Sequence, residues 1–200
     1  MNLKGKIVII TLVAIVALVG VGFATFTFTN SVNDSAAISG NVAAAIEAQS
    51  VQVKNADGTE DVTNLYIICA SQAEDGIYWS TTNDSTAAAH KITQLRLVGS
   101  VNEDDNDIVD FTKYTGTFTS SITGVPDSTT WINIASFTTL NVDVESTSKN
   151  ADVVYNYTLP ALSYKAVPGN VTQVNALETE VNAISITIQF TFTVKSVTAA

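Results

Sequence analysis

A long apolar run near the start of the chain most strongly limits how the rest can fold. Two lysines precede residues 7–24, which contain no charged side chain. Signal peptidase requires small residues at the −3 and −1 positions of its cleavage site. Gly22 and Ala24 occupy these positions if cleavage occurs between Ala24 and Thr25. The pattern is typical of a secretory signal peptide, so we predict that residues 1–24 direct export and are removed.

A retained hydrophobic helix is the alternative interpretation of this segment. Residues 7–28 form 22 consecutive uncharged positions, which is enough to cross a bilayer. Lys4 and Lys6, with a glycine between them, are also similar to the short basic leader of type IV prepilins. Both interpretations stay open, so a membrane is expected as a partner only during export or through an uncleaved helix.

The segment after Ala24 alternates between apolar and polar side chains. Phe26, Phe28 and Val32 occupy even positions among threonines and asparagine, which places them on one face of an extended strand. We predict an N-terminal strand within residues 25–35, ending in a polar turn. Pairing of this strand within its own sheet is the alternative.

The remaining residues, 36–200, form many short segments of strand character separated by turns rich in Gly, Pro, Asn and Asp. Predicted strands cover 50–54, 62–70, 77–79, 92–97, 111–122, 130–134, 139–144, 153–159 and 184–194. Only 43–48 and 174–181 have any helical character. The pattern predicts one all-β domain, a jelly-roll-like or Ig-like β-sandwich, preceded by the N-terminal hydrophobic segment.

The charge balance excludes some partners. The chain carries 19 acidic and 9 basic residues, a formal net charge of −10. Phosphate-bearing partners are repelled by such a surface, so no nucleic acid is expected to bind. The abundant Thr, Ser and Asn are typical of a secreted β-protein. The single cysteine, Cys69, lies in an apolar run and is predicted to be a buried, inert thiol.

The sequence contains no recognisable catalytic motif, and we predict that the protein is not an enzyme. His90 is the only histidine and lies in an alanine-rich stretch. Asp143 and Glu145 are two positions apart on a predicted strand, so both should face solvent. They form only a weak argument for a glycosidase.

The strongest polar cluster is an acidic run formed by Glu103, Asp104, Asp105 and Asp107. Carboxylates at this density repel one another unless solvent or a cation screens them. Hard oxygen ligands of this kind suit Ca²⁺, although the run lacks the spacing of an EF-hand loop. Two interpretations stay open: a solvated acidic loop with no cofactor, or a calcium site.

The chain also contains Asn-x-Ser/Thr triplets, the acceptor sequence for N-glycosylation. They begin at Asn33, Asn83, Asn156 and Asn170. If the chain is exported, some of these positions are expected to carry glycans. The loop positions Asn83 and Asn170 are better candidates than Asn156, which lies within a predicted strand.

Three stretches together resemble the TasA/camelysin-like extracellular fibre proteins and their archaeal relatives, the bundling pili, threads and cannulae. They are residues 24–29 (ATFTFT), 39–42 (SGNV) and 188–193 (IQFTFT). The resemblance implies an exported jelly-roll-like subunit that polymerises by inserting its N-terminal strand into the next subunit. Residues 25–35, with Phe26, Phe28 and Val32 on the apolar face, would then be the donor strand. It also implies that some interfaces bind calcium. This chain lacks the long charged insertions of the bacterial members, so the archaeal filaments are the better match.

A weaker resemblance links the chain to archaeal type IV pilins and archaellins. Residues 51–53 (VQV) and 62–67 (VTNLYI), downstream of a hydrophobic helix, carry it. In those proteins the helix forms the filament core and the β-domain its outer wall.

These observations predict a structural subunit of an extracellular, cell-surface filament whose partner is a further copy of itself. A type IV pilin-like subunit that retains its helix is one alternative. A secreted or anchored S-layer-associated binding module is the other.

Overall fold

The computed structural model describes residues 46–69, 76–82, 91–103 and 111–199, and the structural statements below refer to those ranges. Within them the chain is mostly β-strand, with eleven strands in several sheets and one helix. The all-β prediction is therefore confirmed.

The described elements follow one another in a simple order. They are β1 (Ile46–Lys54), β2 (Tyr66–Cys69), β3 (Ile77–Ser80), β4 (Lys91–Ile92), β5 (Gln94–Glu103), β6 (Phe111–Thr123), β7 (Ile132–Ile134), β8 (Asn141–Glu145), β9 (Val153–Thr158), β10 (Leu162–Tyr164), α1 (Val171–Asn182) and β11 (Thr187–Ala199).

Two three-stranded antiparallel sheets form the centre of the molecule. The first core sheet has the order β1-β5-β9, and the second has the order β11-β6-β8. In the first sheet, Val51 and Val153 both pair with Gly99 of β5. In the second, Phe192 and Val142 both pair with Phe118 of β6. Alternate side chains are buried along β1 (Val51, Val53), β6 (Tyr114, Phe118), β9 (Val153, Tyr157) and β11 (Phe190, Phe192).

Phe192 is the side chain that joins the two core sheets. A Cβ atom on Gly99 would lie 2.7 Å from the Phe192 ring, and one on Gly116 would also overlap that ring. The ring is thus packed against bare backbone on both sides. The rings of Phe192 and Phe118 are also in contact, tilted by 43° with their centroids 4.9 Å apart. Glycine is required at positions 99 and 116 because any side chain there would overlap the Phe192 ring and force the two core sheets apart.

We group the described elements outside the two core sheets as a second layer. It consists of the sheet β2-β3-β4, the strand pair β10-β7 and α1. Helix α1 buries Val174, Leu177 and Val181, the spacing of one helical face. Among the described residues, no helix is long and apolar enough to cross a membrane.

Asn170 caps the N-terminus of helix α1. The side-chain oxygen of Asn170 accepts a hydrogen bond from the Gln173 N–H at 3.0 Å, and the Gln173 side-chain oxygen accepts one from the Gly169 N–H at 2.8 Å. This reciprocal arrangement satisfies backbone donors that the helix leaves unpaired. The helix therefore starts earlier than the predicted 174–181.

Several element boundaries differ from the sequence prediction. Among the described residues of the predicted strand 62–70, Tyr66–Cys69 form β2 and residues 62–65 belong to no sheet. Val62 is buried, and its N–H donates to the Val53 carbonyl. The predicted helical character of 43–48 is wrong for its last three residues, because β1 begins at Ile46. Strand β10 was not predicted, because Leu162–Tyr164 is too short to show an alternation.

Glu180 fixes the position of α1 against the chain that leads into β7. Its Oε2 accepts a hydrogen bond from the Thr130 N–H at 2.6 Å, and its Oε1 accepts from the N–H groups of Trp131 at 2.9 Å and Ile132 at 3.3 Å. One half-buried carboxylate thus accepts hydrogen bonds from three consecutive backbone donors where the chain enters β7.

We expect Glu180→Ala to lower the free energy of unfolding by about 1.5–3 kcal/mol, because it leaves these donors without their charged acceptor. Urea denaturation followed by tryptophan fluorescence measures the change. Glu178→Ala on the same helix is the matched control and should alter stability by less than about 0.5 kcal/mol. Equal effects of the two substitutions would contradict the role assigned to Glu180.

Candidate functional site

The described chain enters the first core sheet at its edge, next to the acidic run. Ile46, the first residue of β1, pairs with Glu103, the last residue of β5. We call this the entry end of the two core sheets. The donor-strand residues Phe26, Phe28 and Val32 precede Ile46 and lie outside the described residues.

The first residue of the acidic run, Glu103, lies at the entry end. Glu103 closes β5, whereas Asp104, Asp105 and Asp107 lie outside the described residues. Within the described part of the chain, no group of three or more His, Cys, Asp or Glu side chains is placed to hold a metal ion. The choice between a solvated loop and a calcium site stays a prediction.

Asp143 and Glu145 lie on the outer face of β8, as their two-residue spacing predicts. Asp143 accepts hydrogen bonds from Lys195 at 2.5 Å and from the Thr117 hydroxyl at 2.6 Å. These bonds hold the pKa of its carboxyl below the usual value. Glu145 pairs with Lys113 at 2.6 Å. Each carboxylate has a cationic partner on the same exposed sheet, so the pair belongs to a surface charge pattern and not to a cleft.

Of the four glycosylation candidates, two are described. Asn156 is exposed on the outer side of β9, and Asn170 is exposed at the start of α1. The cap uses the side-chain oxygen of Asn170, so its amide nitrogen, the atom that a glycan modifies, is not needed for the cap. Asn33 and Asn83, like His90, lie outside the described residues.

The structure buries Cys69, in agreement with the prediction from its apolar run. The residue is 4% exposed and forms no disulfide. Burial raises the pKa of the thiol to about 12, although a side-chain hydrogen bond with Tyr164 acts in the opposite direction. Burial likewise raises the pKa of Tyr164. These two polar groups therefore satisfy each other inside the second layer.

We expect the native protein to react with a thiol reagent at pH 8 about 10³-fold more slowly than the unfolded chain. Only the thiolate reacts, and a pKa near 12 leaves very little of it at that pH. The chain unfolded in guanidinium chloride is the control, and one thiol per chain should react. Rapid, complete labelling of protein that keeps its native circular dichroism would contradict this burial.

An apolar cleft lies at the end of the core sheets opposite Ile46. It has a volume of about 270 Å³ and is lined by residues 77–79, 91–93 and 158–162. One wall is formed by β3 and β4, and the other by the segment that connects β9 to β10. We call this feature the distal cleft.

Two hydrogen bonds fix the walls of the distal cleft. The Trp79 indole N–H donates to the Pro160 carbonyl at 2.6 Å, and the Leu159 N–H donates to the Thr93 carbonyl at 2.9 Å. The Lys91 ammonium group lies 5.3 Å from the centre of the Tyr78 ring, a cation–π distance. These contacts join the two walls of the cleft, and Lys91 is the one charged residue among those that line it.

Sequence reasoning recognised 77–79 as the start of a strand but did not identify the cleft. Trp79 lies on β3 and Pro160 follows β9, so the two residues are 81 positions apart and meet only in the folded chain. A proline directly after a predicted strand was the one available signal, because it marks the point at which the ladder ends.

Comparison with protein families, with curated proteins and with solved structures finds no match for this chain.

Proposed function

We propose that this chain is a structural, non-enzymatic subunit of an extracellular filament. In this proposal, residues 1–24 direct export and residues 25–32 of one copy insert as a strand into the next copy. The two core sheets are then the two layers of a jelly-roll-like or Ig-like β-sandwich. Copies of the same chain are its partners, and the cell surface is its location.

The observation that carries the proposal is the position at which the described chain enters the fold. Among the described strands, β1 pairs only with β5, so the chain arrives at a sheet edge and at the end of a strand. Residues preceding Ile46 can therefore extend beyond the core sheets without passing through their centre.

The length of the intervening chain supports transfer to a neighbour. Thirteen residues, 33–45, separate Val32 from Ile46. Fully extended, they reach about 43–47 Å at ~3.3–3.6 Å per residue. A domain of this size has a radius of gyration of about 15 Å. The donor strand can therefore reach across an adjacent subunit.

The side chains of the donor strand supply the driving force. Burying Phe26, Phe28 and Val32 contributes about 5–8 kcal/mol of gross apolar transfer free energy, at ~1.5–3 kcal/mol per side chain. Association costs ~4–15 kcal/mol in lost freedom of motion. Apolar burial alone is thus marginal, and hydrogen bonds between the inserted strand and a sheet edge must supply the rest together with direction and register.

Insertion of this kind generates an open polymer. The donating and receiving surfaces are different patches of the same molecule, so each contact is heterologous. If the rotation that relates one subunit to the next does not close a ring, repeated contacts of this kind produce a helical filament. The negative charge, about −12 once Lys4 and Lys6 are removed, makes subunits repel one another and favours strong dependence of assembly on ionic strength.

Electron microscopy of the native cell surface, combined with mass spectrometry of isolated filaments, tests the proposal. Filaments composed of this chain are the expected result. Recovery of the chain only as a membrane-associated or secreted monomer would overturn the proposal and favour a binding module.

A further inference from the structure

We infer that Asn170 is a glycosylated position and that its glycan covers the exposed valines on either side of it. The inference rests on the proposed function only in requiring export, because N-linked oligosaccharides are attached to exported chains. It selects one of the predicted triplets and gives the attached glycan a physical role.

The first argument is the state of the Asn170 side chain. Its Oδ1 accepts a hydrogen bond from the Gln173 N–H at 3.0 Å, which fixes the orientation of the amide group. The Nδ2 atom lies on the other side of Cγ and donates to no other described residue. Glycosylation replaces one hydrogen of Nδ2 and leaves Oδ1 unchanged. A glycan and the helix cap can therefore coexist.

The second argument is the space around the triplet. Asn170, Val171 and Thr172 are all exposed. Apart from its chain neighbours, a Cβ atom on Gly169 would have only the Gln173 side-chain oxygen nearby, at 3.6 Å. The surface in front of α1 is therefore open enough for a bulky group.

The third argument is the backbone, which distinguishes Asn170 from Asn156. A glycosyltransferase must enclose the whole triplet, so the chain around the asparagine has to leave its regular structure. Asn156 pairs with Arg96 in the ladder between β5 and β9, and the next residue, Tyr157, is buried. The triplet at Asn170 instead occupies the first turn of α1, where local opening costs least because the first N–H groups have no partner within the helix.

The fourth argument is the apolar surface beside the triplet. Val167 is 51% exposed and Val171 is 38% exposed, and both lie within three residues of Asn170. Exposed valines of this kind lower solubility when nothing covers them. An oligosaccharide attached between the two covers apolar surface with hydroxyl groups.

The attachment is a substitution at the anomeric carbon of the donor sugar. Nδ2 of Asn170 forms a bond to that carbon, and the bond between the carbon and a phosphate oxygen breaks. The donor is an oligosaccharide linked to a polyprenyl phosphate or diphosphate, and the phosphate-bearing lipid is the leaving group. Nδ2 loses one proton to solvent, so the reaction needs no oxidant or reductant.

Mass spectrometry of tryptic peptides from the native, secreted chain tests the assignment. Trypsin cleaves after lysine and yields peptide 150–165, which contains Asn156, and peptide 166–195, which contains Asn170. Neither peptide contains a second triplet. We expect an oligosaccharide mass on most copies of peptide 166–195 and none on peptide 150–165.

Matched substitutions separate the acceptor from the fold. Asn170→Asp keeps an oxygen for the helix cap but removes the acceptor nitrogen, and Thr172→Ala removes the hydroxyl that defines the triplet. Each should reduce the oligosaccharide on peptide 166–195 by about tenfold or more. Thr172→Ser keeps the hydroxyl, and Asn175→Asp alters an exposed residue of α1 outside any triplet, so both controls should leave the oligosaccharide in place.

Ammonium sulfate precipitation tests the covering of the valines. Val167→Ser should raise the salt concentration at which the chain precipitates more strongly in the Thr172→Ala background than in the glycosylated Thr172→Ser background, because only the former leaves Val167 uncovered. Val154, 40% exposed on β9, supplies the control: Val154→Ser should have the same effect in both backgrounds. Equal effects of Val167→Ser in the two backgrounds would overturn the covering role.

The remaining outcomes separate this assignment from the proposed function. An unmodified peptide 166–195 from chain recovered outside the cell would overturn glycosylation at Asn170 and leave the proposed function intact. An oligosaccharide found only on peptide 150–165 would do the same. Recovery of the chain only inside the cell would instead overturn export, and with it the proposed function.

Discussion

Phe192→Ala is expected to lower the free energy of unfolding by about 3–5 kcal/mol, the largest effect of any single truncation that we predict in the core. The ring is 1% exposed and touches both core sheets at once. Its removal deletes the apolar contact and leaves a cavity that two glycine backbones cannot fill. Since domains of this size are stable by only ~5–15 kcal/mol, much of the variant should be unfolded at moderate urea concentrations.

The glycines that contact this ring provide a sharper version of the same measurement. Gly116→Ala should cost about 1–3 kcal/mol, because the new Cβ overlaps the Phe192 ring. In the Phe192→Ala background the same substitution should cost much less, since the ring is gone. Such coupling is expected only between groups in contact.

Thr119→Ala, on the exposed face of β6, is the control and should cost less than about 1 kcal/mol. Urea titration followed by circular dichroism measures all of these variants. Additive effects of the Gly116 and Phe192 substitutions would contradict the packing described here.

Removal of residues 25–32 is expected to abolish polymerisation while leaving the β-fold intact. The deletion eliminates the ~5–8 kcal/mol of gross apolar transfer from three side chains and the backbone that pairs with the neighbour. A loss of this size corresponds to more than about 10³-fold in association constant, because ~1.4 kcal/mol is a factor of ten. Analytical ultracentrifugation and circular dichroism measure assembly and fold separately.

Point substitutions distinguish the contribution of the side chains of residues 25–32 to assembly from that of their backbone. Replacing Phe26, Phe28 and Val32 together by serine should prevent assembly as completely as the deletion. Replacing Thr25, Thr27 and Thr29 by serine keeps the apolar face and should preserve filaments. Filaments that persist after the deletion would show that residues 25–32 are not the linking element.

The sequence predicted the central strands better than it predicted their surroundings. Strands β6, β9 and β11 show a clear two-residue alternation because one side of each faces the core and the other faces solvent. All six apolar residues of 184–194 are buried as predicted, although β11 pairs only from Thr187. The alternation of apolar residues predicts which side chains are buried. The residue at which β11 begins to pair depends instead on where its partner strand β6 ends.

The second layer and the distal cleft could not be predicted in this way. Strands β2, β3, β4, β7 and β10 have two to four residues each, too few for a period to show. The cleft depends on contacts such as that between Trp79 and Pro160, which lie far apart in the sequence. The three hydrogen bonds accepted by Glu180 are also absent from any sequence pattern, because their donors are backbone groups.

The mature N-terminus of the chain in native filaments tests strand insertion most directly. Isolated filaments, dissociated and analysed by N-terminal sequencing, should begin at Thr25, immediately after the small residue Ala24. A start near Lys6 or Ile7, with the apolar run retained, would contradict strand insertion and indicate a filament assembled through a hydrophobic helix.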